Sequence, residues 1–346
     1  MKKLLMLLLC LHVAAQAVTV YDRDVNQTRV GGYLDTEWVS EGNVNTFKAH
    51  RFIIQYGSIL SPKTRFNSEI EYEYGGYVTN TDEAENSQKG EIKIEQAWVD
   101  HDLSDLFTLR AGIVLVPVGQ LNIYHDSDMR DFTARPLVSS TIIPSTWMDT
   151  GVGGYGSIDV NDMEVTYEGY VINGLDHQNT YSTSKGLKPM RPNFKNDTNQ
   201  GKAVAARLGL LPTINSKWGI STYQGQSKQS LIAFDGEVKF GPAKIKTEVA
   251  NYSDAYNNKA MGYNLEGRYN IAPALGLNTP LNLLARIESV DLNTDNDSVG
   301  KHDRTSIGFN IKPEPSLVYK LEYSFNKKDG VNDADDTLMA SVAVGF

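Results

Sequence analysis

Arg65-Phe66-Asn67-Ser68-Glu69-Ile70-Glu71-Tyr72-Glu73-Tyr74 changes character at every step. In an extended chain successive side chains point to opposite faces, so Phe66, Ser68, Ile70, Tyr72 and Tyr74 share one side and Arg65, Asn67, Glu69, Glu71 and Glu73 the other. The pattern recurs along the chain. Ile232, Phe234, Gly236, Val238 and Phe240 alternate with Ala233, Asp235, Glu237 and Lys239, and Met261, Tyr263, Leu265, Gly267 and Tyr269 with Asn264, Glu266 and Arg268. Tyr319, Leu321, Tyr323 and Phe325 alternate with Lys320, Glu322 and Ser324. From about residue 29 onward no sustained 3.6-residue period competes, so the chain reads as all-β.

A soluble sandwich also alternates, with its apolar face packed inward. Strand length and connection length favour a barrel in lipid instead. The expected strands lie near 29–38, 50–59, 64–74, 91–100, 106–117, 149–159, 162–173, 202–211, 216–226, 231–241, 243–252, 260–271, 281–290, 303–312, 317–326 and 337–346. They run to about 10 to 12 residues, enough for a tilted strand to cross a bilayer and more than the usual 5 or 6 of soluble sheets. Connections after even strands are mostly short, as at Ser61-Pro62-Lys63 and Val160-Asn161; those after most odd strands are long: 39–49, 75–90, 118–148, 174–201, 291–302 and 327–336. That asymmetry and an even strand number are what a transmembrane antiparallel β-barrel shows. Aromatics near strand ends (Tyr33, Trp38, Tyr56, Tyr74, Trp98, Tyr170, Tyr252, Tyr269) are expected to form its interfacial girdles.

Composition agrees once the first residues are read. A net charge of −9, one cysteine and no long apolar run after residue 20 exclude a helical membrane protein. Lys2 and Lys3, the apolar run Leu4 to Val13 and Ala15-Gln16-Ala17 predict a signal peptide over 1–17, with the barrel occupying 18–346. Cys10 lies within the apolar run and lacks the preceding small residue that lipoprotein processing needs. Cleavage after Ala17 would leave no cysteine, so a closed hydrogen-bonded sheet has to supply the stability that disulfides give other exported proteins.

Sixteen strands enclose a space too wide for side chains to fill, which predicts an aqueous channel. The expected pore-lining residues include Arg51, Arg65, Arg110, Arg207, Glu69, Glu164 and Glu168, on a wall whose acids and bases nearly balance. Excess acid sits in outer loops (Asp82, Glu83, Glu85; Asp291, Asp295, Asp297; Asp329, Asp333, Asp335, Asp336), a rim suited to divalent cations or lipopolysaccharide. Residues 118–148 are far longer than an ordinary loop and too apolar at Leu137, Val138, Ile142 and Ile143 to lie in water. They are expected to fold inward and constrict the barrel, with Asp126, Asp128, Arg130, Asp131 and Arg135 at its narrowest part. The alternative is an external cap or subunit contact.

Phe132-Thr133-Ala134-Arg135-Pro136-Leu137, Ile143-Pro144-Ser145-Thr146-Trp147-Met148-Asp149 and Gly151-Val152-Gly153 resemble the corresponding region of the phosphate-selective porin (O and P) family, as does Leu109-Arg110-Ala111-Gly112 leading to Pro117-Val118-Gly119. The match covers about a tenth of the chain; the strand plan and the terminal Phe346 agree over nearly all of it. The resemblance implies sixteen strands, an inward third loop and a homotrimer, and in outer-membrane barrels generally a C-terminal aromatic such as Phe346 resembles the signal read by the barrel insertion machinery. The family resemblance does not carry phosphate selectivity, because members with that property present a run of arginines where this wall alternates Lys and Arg with Glu.

The expected function is therefore an outer-membrane porin passing ions and small hydrophilic solutes, with outer-membrane lipid and lipopolysaccharide as surroundings and nucleic acid not a partner. A channel specific for phosphate, an oligosaccharide or an iron chelate is the closest competitor, with Tyr124 and Tyr170 as candidate contacts. A structural barrel without conductance is a further possibility. A barrel hydrolase would need a serine and a histidine within hydrogen-bond reach on the lipid-facing side, and none is evident around His50, His101, His125, His177 or His302. No catalytic residues and no cofactor are expected. No histidine pair has metal-ligand spacing, and Asp126-Ser127-Asp128 and Asn293 to Asp297 do not match a calcium loop.

Overall fold

The computed structural model describes residues 18–23, 26–76, 90–176, 180–192, 194, 201–296, 298–330 and 335–346, with side chains from residue 27 onward. The expected leader 1–17, Asp82, Glu83, Glu85, His177, Asp297 and Asp333 lie outside them.

Sixteen strands close into one antiparallel ring: β2 (Asn26–Glu41), β3 (Val44–Ser61), β4 (Thr64–Glu73), β5 (Glu91–Asp102), β6 (Thr108–Leu115), β7 (Met148–Val160), β8 (Met163–Ile172), β9 (Ala203–Thr213), β10 (Ser216–Gln224), β11 (Ser230–Phe240), β12 (Ala243–Ser253), β13 (Lys259–Asn270), β14 (Leu281–Asp291), β15 (Lys301–Glu314), β16 (Leu317–Lys328) and β17 (Thr337–Gly345). Every strand pairs with its chain neighbours, and β17 pairs with β2 from Thr337↔Glu41 to Gly345↔Tyr33. A further strand, β1 (Val18–Arg23), pairs with β2 from Val18↔Val30 to Arg23↔Asn26, continuing along β2 where β17 stops. The fold class is thus the expected one, a closed sixteen-stranded barrel with its third loop folded inside. Closure ends at Gly32 and Tyr33, and Arg29 beyond them pairs with Thr19 of β1. The amide and carbonyl of Phe346 both bond Gly32, at 3.0 and 3.1 Å, and its ring stacks on Phe52 with centroids 6.0 Å apart.

The polarity of the barrel is inverted relative to a soluble sheet. Phe52, Ile94, Val171, Leu208, Ile232, Leu265, Leu283, Ile307 and Tyr319 are exposed on the outside, while Glu71, Asp100, Asp235, Arg286, Glu288, Lys320 and Glu322 are buried within. A soluble protein rarely exposes a contiguous apolar patch above a few hundred Å²; a surface apolar all round suits hydrocarbon. No helix among the described residues is long and apolar enough to cross a membrane, which says nothing about strands.

Two expectations are corrected. Residues 39–49 are not a loop: β2 and β3 continue to a two-residue turn at Gly42-Asn43, with Gly42 at φ 54°. Polar residues there suggested a loop, but backbone pairing runs on to Glu41↔Val44, and Trp38 donates to Asn45 across the hairpin at 2.8 Å. The girdle is also thinner than expected. Tyr33, Tyr170 and Tyr252 are buried inside and Trp98 lies beneath the Arg110 guanidinium, 3.7 Å from its ring centre, whereas Tyr56, Tyr74 and Tyr269 are exposed. Distance from a strand end sets the depth of an aromatic; strand parity sets its face, and parity decides.

Parity itself is reset by register shifts, and those in the β2–β3 and β4–β5 pairs bear on the interior. Between Asp35↔Arg51 and Glu37↔Lys48, β3 carries one extra residue, so His50 and Arg51 both reach inner acids. Between Glu69↔Gln96 and Ile70↔Ile94, β5 carries Glu95 unpaired, and Glu95 and Gln96 both point inward.

Candidate pore constriction

The third loop (116–147) is held at its neck by one side chain. Asn122, in the short helix α1 (Gln120–Ile123), donates from Nδ2 to the carbonyls of Val116 (2.8 Å) and Trp147 (2.9 Å), and its Oδ1 accepts from the Trp147 amide (2.7 Å). The strand-like bond from the Val116 amide to the Trp147 carbonyl, 2.9 Å, closes the same neck. Gly119 begins α1 at φ 72°, and a Cβ there would stand 2.4 Å from Glu248 Oε1. Glycine is needed both for the left-handed backbone and for that close approach.

Beyond the neck the loop has an apolar and a polar side. Leu137, Val138, Ile142, Ile143 and Trp147, around the helix α2 (Val138–Thr141), form one buried cluster with inner-face residues Tyr170, Tyr223, Ala233, Ala250, Tyr252 and Val290. This is why those residues were too apolar for water. The polar side lies on the adjoining wall, from β14 onward. Glu322 accepts from the amides of Thr133 (2.6 Å) and Ala134 (3.2 Å), and Glu288 from that of Leu137 (2.5 Å). Arg286 donates to the Ala134 carbonyl (3.1 Å), Arg304 to that of Arg135 (2.6 Å), and Lys320 to those of Ser127 and Phe132. These wall charges form the berth of the loop backbone. No sequence periodicity distinguishes them from other alternating charges.

The five expected loop residues divide. Asp131 is 2% exposed and ion-paired with Lys244 (2.6 Å), Lys246 (3.1 Å) and Arg268 (3.3 Å). Burial opposes its ionisation, but these cations hold it well below the usual carboxylate range. Arg130 bonds Thr133 and Ser127 within the loop. Asp128 is pushed up to about 6, by burial and by the charge of Asp126, against the pull of Lys320 and Lys312. Arg135 reaches Thr146 Oγ1 at 3.3 Å. Asp126 faces β4 and β5 beside His125 and Glu95.

Of the expected wall residues, Arg51 pairs with Glu71 (3.0 Å) and Glu73 (3.2 Å), and Glu69 accepts from Gln96 (2.8 Å). Near the end that holds both termini, Arg65 makes a two-pronged pair with Asp102 (2.6 and 2.7 Å), while Arg110 bonds Asp100 between the rings of Trp98 and Tyr155. Arg207 grips Asp235 the same way (2.5 and 2.6 Å). Glu168 accepts from Tyr170, and Glu164 stands half-buried farther along β8. The structure therefore brings Arg51, Glu69 and Asp126 into one region and keeps Arg65, Arg110, Arg207, Glu164 and Glu168 apart from it.

The fourth loop, between β8 and β9, packs on the third through its described residues 180–192. The Leu187 amide bonds the Thr141 carbonyl (2.8 Å) and Arg191 bonds that of Thr146 (3.2 Å). Between them lies a cleft of about 530 Å³ lined by Ser140, Thr141, Ser184, Lys185, Lys188, Pro189 and Arg191.

No protein-family model matches the chain. It is 25% identical over 334 residues to an uncharacterised protein of Aquifex aeolicus, covering 85% of this chain and 74% of that one. Among solved structures it is similar to OmpF of Salmonella typhi in complex with daunomycin (TM-score 0.62, 12% identity, 94% of this chain and 99% of that one). It is similar also to an anion-selective porin of Comamonas acidovorans (TM-score 0.61, 12% identity, 93% and 100%). OmpT of Vibrio cholerae in its trimer form matches at TM-score 0.59 and 11% identity, covering 93% and 100%. The barrel fold is that of outer-membrane porins.

Proposed function

We propose that the protein is an outer-membrane porin, a water-filled channel for passive diffusion of ions and small hydrophilic solutes, narrowed by its third loop. The observation that carries this reading is the inverted polarity, an apolar outer face around a charged interior with the loop berthed inside. The likeness to solved porins supports it, and the trimeric OmpT supports a homotrimer. Arg51, Arg65, Arg110, Arg207, Glu69, Glu164 and Glu168 belong to the wall in this reading; Asp126, Asp128, Arg130, Asp131 and Arg135 belong to the constriction. The role is transport rather than catalysis, and Phe346 serves assembly through the insertion machinery, in a bilayer faced with lipopolysaccharide.

Reconstitution into a planar bilayer tests this directly. Discrete ohmic channels are expected, and removal of the third loop should raise single-channel conductance. A chain that inserts without conducting defeats the reading.

A preference for anions is favoured by one further set of residues. Lys217, Lys239, Lys244, Lys246, Arg268 and Lys312 lie on inner-face positions toward the termini end, with Glu237, Glu266 and Asp131 against them. The cationic cleft between the third and fourth loops guards the other end. Like charge lining a pore sets its ion preference. Under a KCl gradient the reversal potential should carry the sign of chloride permeation and move toward zero when Lys312 and Lys217 are replaced by Gln.

A further inference from the structure

His125, Glu95 and Glu69 come from three separate parts of the chain, and their donor atoms all lie within 4.8 Å of one another. The imidazole Nδ1 is 3.1 Å from the Asn122 carbonyl. A carbonyl only accepts, so Nδ1 carries a proton and Nε2 is the nitrogen left with a lone pair. Nε2 nevertheless faces two acceptors, Glu95 Oε2 at 3.2 Å and Asp126 Oδ1 at 3.8 Å. Either a proton, on the nitrogen or on a carboxyl, or a metal ion has to sit there.

A proton serves too few of the atoms present. On Nε2 it would bond one oxygen of Glu95 and leave Glu69 Oε1, Glu95 Oε1 and Asp126 Oδ1 sealed from water without a hydrogen-bond partner. The hydroxyl of Tyr33, 1% exposed and also without a partner, lies within electrostatic reach of Asp126, Glu95 and Glu69. Nearby cations are engaged elsewhere: Lys93 with Glu71 at 2.5 Å, being 3.9 Å from Glu95, and Arg51 with Glu71 and Glu73. Buried polar groups are otherwise satisfied as a rule.

We propose that this site binds a divalent cation of the first transition row, of which Zn²⁺ is the probe. His125 Nε2, Glu95 and Glu69 are its ligands, and Asp126 is placed to join them. Two donors on one ion with bonds of about 2.1 Å stand about 3.0 to 3.4 Å apart in octahedral or tetrahedral arrangement, which the separation of Nε2 from Oε2 matches at 3.2 Å. A ligating histidine characteristically gives its other N–H to a backbone carbonyl, as His125 does. An imidazole among carboxylates suits Zn²⁺ or Mn²⁺, whereas Ca²⁺ takes oxygen alone. The bulge in β5 is what supplies the site, because without the extra residue Glu95 and Gln96 could not both face inward. The ion ties the start of the third loop to β4 and β5.

The test is titration of the full-length, chelator-stripped barrel with Zn²⁺ by calorimetry, together with anomalous diffraction at the zinc edge. Binding is read without current, so the result is independent of whether the barrel conducts. One equivalent per chain is expected, weakened at least tenfold in His125→Gln and in Glu95→Gln, with an anomalous peak between the two side chains. His50→Gln should leave it unchanged, although Asp35, Glu37 and His50 form a comparable cluster. The proposal is overturned by a wild type that takes up no Zn²⁺, by unaltered binding in both variants, or by loss of binding in His50→Gln instead. Heat-modifiable mobility confirms that each variant folds; where one does not, the wild-type anomalous map decides.

Discussion

Asn122 uses its whole amide, two donated bonds and one accepted, to join residues 116 and 147 across the neck of the third loop. An alanine there strips the Trp147 amide of its partner, at about 1 to 3 kcal/mol for a buried group so abandoned, and takes one bond from each of two carbonyls that keep the amides of Val116 and Val118. Asn122→Ala should therefore lower the urea midpoint of the folded barrel and make the channel noisy, with Asn122→Asp only partly restoring it. Asp131→Asn acts on the same loop through charge. It leaves Lys244, Lys246 and Arg268 without their shared anion, and removing one partner of a buried ionic cluster costs about 3 to 5 kcal/mol. A detached loop should appear as raised conductance and faster proteolysis between Asp126 and Arg135. Asp131 was named from the sequence, whereas Asn122 stood out by nothing in it. The partners of Asp131 were not recognisable as such, because Lys244, Lys246 and Arg268 each lie more than a hundred residues away and are among many charges alternating on strands.

The third loop is an element with two docking chemistries, apolar toward the wall of β8 to β14 and hydrogen-bonded toward β14 to β17. Its length and apolar residues announced that it folds inward; which wall receives which face depends on the closed barrel. Asp128 gives this element a pH dependence. Its folded-state pKa of about 6 lies above the ordinary carboxylate value, so the loop is better held at low pH and loses that contribution as pH rises from about 4 to about 6. Raising the pH from about 5 to about 7 adds negative charge within the barrel. The reversal potential should shift toward cations over that interval, and Asp128→Asn should abolish the shift.

At the scale of the molecule, stability rests on closure, since a lipid-exposed sheet edge would leave backbone groups unsatisfied in hydrocarbon. The final contacts are the Phe346–Gly32 bond pair and the stack of Phe346 on Phe52. An aromatic pair contributes about 0.5 to 1.5 kcal/mol beyond its buried area. Phe346→Ala should slow appearance of the heat-modifiable folded band while leaving the conductance of assembled channels unchanged; altered conductance at normal assembly would separate Phe346 from its assigned role.

The sequence by itself determined the sixteen strands, the face of most residues on them and the inward fate of the third loop, because alternation, strand length and loop composition are local properties. Tertiary structure decided what depends on register. The bulges at His50 and Glu95 reversed parity where no residue type marks a bulge, and pairing carried β2 and β3 through the expected loop at 39–49. Closure around the loop then set His125 beside Glu69 and Glu95, thirty or more residues distant in the chain. Ligand spacing along a sequence finds sites built within one element; this cluster is assembled across β4, β5 and a loop, and only the closed ring brings the three together.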